Sequence, residues 1–211
     1  MRIVAQRVFE ITGYSIILFF YLLVGIIAGH PFDDAIYAQH AQFFYYLSLN
    51  PTYGLLMGVY YGLINIGGYF LTTLLSLLGT SNVLTIQIGV KTPFILFTFL
   101  TAIVLYKLVK DMGYDGRYAS LLLLTSPIYF FTSVVYGSAI VVSMFFLVSS
   151  IYLLFKKKRL LSAVLFGMAA GSYLYPIFSI PFLLRYVKKE SGWKATAIYF
   201  AVSVTFAAIG Q

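Results

Sequence analysis

YGLLMGVYYGLINIGGYFLTTLLSLL, residues 53–78, is the stretch whose reading decides the fold. It is apolar and long enough to cross a bilayer. If it crossed, the next apolar run, 83–109, would travel outward and strand Lys107, Lys110 and Arg117 outside, and every later basic cluster would be misplaced in the same way. Cytoplasmic loops gather Lys and Arg, so that arrangement inverts the usual charge rule throughout. The glycines Gly54, Gly58, Gly62, Gly67 and Gly68 and the tyrosines Tyr53, Tyr60, Tyr61 and Tyr69 suit a segment that lies in the interface or dips in and returns. No Lys or Arg occurs from His30 to Asn82, as an external segment requires. The stretch is therefore read as the second of two interfacial helices in a large first external loop, residues 30–82.

Composition agrees with a membrane scaffold. The chain has 211 residues, 61% hydrophobic and 9% charged, with mean hydropathy +0.93, which places it in the polytopic membrane class. Seventeen glycines and a 19% aromatic share fit helices that pack through small residues, with Tyr and Trp at the headgroups. The net charge of +8 sits in short clusters at the ends of apolar runs, which speaks for topology and against a nucleic-acid partner. The absence of cysteine excludes disulfides, thiol catalysis and cysteine-ligated metals. There is no internal repeat and no soluble domain, so residues 1–211 read as one module.

With residues 53–78 kept out of the count, the chain crosses about seven times. Arg2 and Arg7 hold the amino terminus in the cytoplasm before an uncleaved span at 11–29. Residues 83–109 run inward, 118–131 return outward to Ser126–Pro127, and 132–137 form an outer turn. Residues 138–155 descend to Lys156, Lys157, Lys158 and Arg159, and 160–173 return with a Gly167/Gly171 pair for close packing. Tyr175–Pro176 and Pro181 break a short descending segment that reaches Arg185, Lys188 and Lys189. Trp193 then opens a last span, 195–210, which ends at the outer face. All of the fourteen basic residues but Lys91 are cytoplasmic on this reading. The fold class is all-α, a multi-pass helical bundle of the cell membrane, or of the endoplasmic reticulum if eukaryotic.

Six residues are acidic, and only Asp33 and Asp34 lie away from the basic clusters. They follow the first span directly, at the start of a segment with helical spacing. A carboxylate held against a bilayer loses solvation, which raises its pKa, a useful property in a general base. The plainer alternative is that one of them caps the helix after Pro31. Tyr37 and His40 fall at i+4 and i+7 from Asp33 on one helical face, with Asp34 about a hundred degrees away. His40 is a candidate partner for substrate phosphate or sugar, or simply a polar-face residue. Lys91 lies inside a span, as a clamp for an anionic group or a side chain reaching to the headgroups, with Pro93 bending the helix just beyond it. No metal-ligand set and no Ser/His/Asp set can be assembled.

The order of these marks resembles the GT-C superfamily of membrane glycosyltransferases, most closely GPI mannosyltransferase I and its prokaryotic relatives. An outer-face acid pair, Asp33–Asp34, follows the first span, and Asn50–Pro51–Thr52–Tyr53 follows its helix. After a second interfacial helix comes a span with an early lysine, Lys91, that ends in Leu105–Tyr106–Lys107. Ser126–Pro127 stands at the family's Asn-Pro, Gly137 in its outer turn, and Tyr175–Pro176 at its Tyr-Pro. The resemblance covers about residues 5–190. It implies inverting transfer of a hexose such as mannose from a polyprenyl-phosphate sugar lipid at the outer or lumenal face, with no metal and no cofactor. The base that deprotonates the acceptor hydroxyl maps onto Asp34, with Asp33 as the alternative, and Lys91, His40 and Tyr37 attend the substrate. The sequence departs from the pattern at Tyr136-Gly137-Ser138-Ala139, where close relatives carry an arginine and an aspartate, and at Tyr173, where they carry a lysine. Family members also continue beyond seven spans, which leaves room for a second membrane subunit to supply the missing ones. The alternative function is a non-catalytic, degenerate GT-C-like subunit that binds a partner protein or a lipid.

Overall fold

The computed structural model describes residues 2–28, 70, 73, 74, 77, 79, 82–138 and 140–210. Every element among them is helical. In chain order they are α1 (Arg2–Ile27), α2 (Asn82–Asp111), α3 (Gly116–Thr125), a bent continuation of a short α-turn (Pro127–Phe130) and a π-helical turn (Phe131–Val135), α4 (Ile140–Phe155), α5 (Arg159–Ser172), a 3₁₀ turn (Tyr175–Ser179) and α6 (Ile180–Gly210). The decisive stretch 53–78 lies almost wholly outside the described residues. Its described members Phe70, Thr73, Leu74 and Leu77 are helical and exposed.

Two helical stretches among the described residues are long and apolar enough to cross a membrane, Lys91–Asp111 and Tyr175–Ile209. The pair Gly116–Thr125 and Pro127–Val135, bent by 60°, makes a third if counted as one broken span. Among the described residues, then, two or three of the expected crossings have helices of full span length, and α4 and α5 do not. At 1.5 Å per residue α4 and α5 reach about 24 Å and about 21 Å, short of the roughly 30 Å hydrocarbon core. Extended residues end α3 and α5. Ser126 is extended (φ −63°, ψ 120°) before Pro127, and Tyr173 is extended at the end of α5 (φ −157°, ψ 147°). A descending leg broken from a last span was also expected near residue 193. The corresponding break is at Gly192, whose φ of 77° and ψ of −177° interrupt α6. That conformation is open to glycine and strained for any other residue.

Contacts between helices fix their directions. Tyr21 meets Phe99 edge to face at 5.6 Å, while Gly25 lies against Ile95, so α1 and α2 run antiparallel. Tyr14 shares a 2.6 Å hydrogen bond with Ser120, and the Tyr21 hydroxyl donates to the Leu124 carbonyl at 2.7 Å, which sets α3 parallel to α1. The second bond supplies a donor to a carbonyl that the break at Ser126–Pro127 leaves without a helical one. Phe97 and Phe145 stack edge to face at 5.2 Å, and Lys156 reaches Asp111 at 2.8 Å, so α4 is parallel to α2. Ser143 donates to the Ala169 carbonyl at 2.9 Å, and Ser150 and Ser162 each donate to the other's carbonyl at 2.8 Å, so α5 returns antiparallel. Past Gly192, Tyr199 meets Ser162 at 3.1 Å and Ser203 meets the Ala163 carbonyl at 3.3 Å.

The close packing expected at Gly167 is present. A Cβ there would lie 2.6 Å from both the Phe206 Cβ and the Ser203 carbonyl oxygen. A second apolar core joins Leu154, Ala163, Phe166 and Ala170 to Leu183, Val187 and Tyr199, residues from both sides of the Gly192 break. A first unites Phe94, Val142, Phe146 and Ala169. The Ser143, Ser150, Ser162 and Ser203 hydroxyls between these helices are matched to carbonyls, whereas the buried hydroxyl of Ser149 has no partner among the described residues.

Candidate functional site

Sorting the helices by direction gives the bundle two chemically different ends. One carries Lys107, Lys110, Arg117, the run Lys156–Arg159 and Lys188. Several of these lie over aromatic rings, Lys110 at 5.7 Å from the Tyr106 centroid, Lys156 at 5.7 Å from Tyr152 and Lys188 at 3.9 Å from Trp193. The Lys156–Asp111 pair is exposed there. The hydrogen bond to the Asp111 carboxylate holds the Lys156 ammonium above its ordinary pKa.

The opposite end holds Lys91. It is 1% exposed, with its stem beside the turn at Gly137. Its ammonium donates to the Ala28 carbonyl and, at 3.4 Å, to the Gly25 carbonyl. These belong to the last turn of α1, where unpaired carbonyls carry the negative end of the helix dipole. A buried ammonium is costly unless such groups surround it. Lys91 fastens α2 to the point where the chain leaves α1.

Of the residues singled out from sequence, Asp33, Asp34, Tyr37 and His40 lie outside the described residues. Lys91 is the one whose surroundings are described. What sequence reasoning missed is the polar interior near it. Thr98 and Thr101 bond back to the carbonyls of Phe94 and Phe97. Tyr129 is buried close to Thr101, and Tyr175 donates to the Ile140 carbonyl at 3.3 Å. Nothing in the sequence sets Tyr129 and Tyr175 apart from the other tyrosines. No local pattern marks them, because their partners stand on other helices. The π-helical turn Phe131–Val135 leads into this end through Gly137, and such turns are frequent at functional sites. Among the described residues no three His, Asp or Glu side chains come together as a metal site would need. No protein-family model, no curated protein and no solved structure matches this chain.

Proposed function

We propose that this chain is a GT-C-like membrane glycosyltransferase acting on a polyprenyl-phosphate sugar at the face opposite its basic clusters. The observation that carries the reading is Lys91. It is a buried cation at the end of the bundle away from all the topogenic charge, bonded to the carboxyl end of α1. Four residues separate Ala28 from Asp33, five Cα steps that reach at most about 18 Å.

In the proposed reaction Asp34, or Asp33 in its place, takes the proton of the acceptor hydroxyl. The oxygen attacks the anomeric carbon, the bond to the phosphate oxygen breaks, and polyprenyl phosphate leaves with the electron pair, inverting the anomeric centre. Lys91 adds positive potential at the end where the leaving phosphate gains charge. Tyr37 and His40 attend the sugar.

The test is transfer of labelled sugar from a polyprenyl-phosphate donor by the purified chain in lipid. Asp34→Asn should lower kcat by about 10²–10⁴ with helix content and melting unchanged. Full activity in both Asp34→Asn and Asp33→Asn would sink the reading.

A second reading is a non-catalytic subunit of the same architecture that binds a partner protein or lipid. The bond from Lys91 to the Ala28 carbonyl supports it, since that bond joins α2 to the end of α1. Co-purification of a membrane partner with a chain that turns over no donor would favour this second reading.

A further inference from the structure

Near the basic end, α5 and the part of α6 beyond Gly192 leave a groove of about 170 Å³ between them. Leu160, Ala195, Ile198 and Tyr199 make its wall, and Arg159 lines it where α5 begins. The Tyr199 hydroxyl is taken up by Ser162 at 3.1 Å, so the wall offers a ligand little besides hydrocarbon. Leu160 and Ile198 are each more than half exposed, so the groove opens onto the outside of the bundle. A second cation stands by. Lys194 precedes Ile198 by one helical turn, on the same face of α6 and toward the basic end, and it is exposed. Among the described residues, neither the Arg159 nor the Lys194 side chain takes part in an ion pair or a hydrogen bond. Glu190, the carboxylate nearest to them along the chain, is exposed on the other side of the Gly192 break.

The geometry points to an anionic membrane phospholipid as the occupant, and we propose that this groove binds one specifically. Its hydrocarbon chain lies along Leu160, Ala195 and Ile198, while its phosphate meets the Arg159 guanidinium, with Lys194 beside it. A planar guanidinium suits phosphate oxygens in pairs, and two cations favour a charged headgroup over a zwitterionic one. A soluble anion gains nothing from the apolar wall, and an apolar partner helix would leave both cations unanswered. The proposal rests on the bundle lying in a membrane with its basic end at the headgroups. It is independent of glycosyl transfer, whose proposed site is at the other end.

The experiment is native mass spectrometry of the full chain released from mixed phosphatidylglycerol and phosphatidylcholine vesicles. Retention of phosphatidylglycerol, preferred about tenfold over phosphatidylcholine, is the expected result. Arg159→Gln should reduce that preference to about twofold, and Lys194→Gln, a second and exposed variant, should reduce it in the same direction. Lys157→Gln removes an equal charge from the same basic run but not from the groove lining, and it should leave the preference near tenfold. Circular dichroism of the three variants should match the parent. Equal retention of the two lipids by the parent, a parent that retains neither, or a preference that survives both Arg159→Gln and Lys194→Gln would each overturn the proposal. So would a loss in Lys157→Gln as large as that in Arg159→Gln, which would mean that the lipid answers the overall charge of this end and not the groove.

Discussion

The two ends of the bundle use positive charge in opposite ways. At the basic end many cations sit in the open, beside rings or in exposed pairs such as Lys156–Asp111. Each is individually dispensable, and what matters is that they share an end. At the other end the buried Lys91 ammonium is tied to two carbonyls of a helix terminus. Its value lies in the particular contact. Exposed charges spread over one end are redundant, whereas a buried charge depends on its particular partners.

The sharpest break of this comparison is topological. The chain has no cysteine, so Met112→Cys beside Asp111 and Tyr136→Cys beside Gly137 can be labelled singly with an impermeant thiol reagent. They should react from opposite sides of the membrane, and labelling from the same side would dissolve the distinction between the ends.

Next in size is Gly116→Ala at the basic end. The added Cβ would overlap the Tyr106 carbonyl oxygen, backbone that cannot swing aside. A loss of about 3 kcal/mol is expected, read from unfolding in detergent. A near-neutral result would show that α2 and α3 can part without consequence.

Lys91→Met should cost about 2 kcal/mol, because it leaves the α1 carbonyls without their cation. Comparing stability with transfer activity in this variant separates the two proposed functions. Lost activity at nearly unchanged stability favours a substrate role, and lost stability favours the scaffold.

The smallest effect belongs to Asp111→Asn. The folded Lys156 pKa is raised, so whatever its pair contributes is fully present below the ordinary lysine pKa. It is lost as pH rises through the higher folded value. Asp111→Asn should erase that alkaline decline in melting temperature and change little at neutral pH. A large neutral-pH loss would mean that the exposed pair does more than an exposed pair usually does.

Hydropathy and the spacing of basic clusters sufficed to read an all-helical chain with apolar runs at 83–109, 138–155, 160–173 and 195–210. Those runs match α2, α4, α5 and the later part of α6. The break at Ser126–Pro127 was legible because proline lacks a donor. That several of these helices are too short to count as full spans was less legible, because apolar composition continues through the turns that end them. GT-C likeness and the roles of Asp33, Asp34, Tyr37 and His40 are readings of the sequence.

By itself the sequence determined helix type, the approximate positions of the helices and the clustering of positive charge, since each depends on neighbours along the chain. Only the tertiary structure decided that Lys91 answers the carbonyls of Gly25 and Ala28, that Tyr21 answers Leu124, and that Ser162 meets Tyr199. Those partners stand tens of residues apart. Which hydroxyl or ammonium finds which carbonyl follows from helix direction and rotation, and no local pattern carries that information.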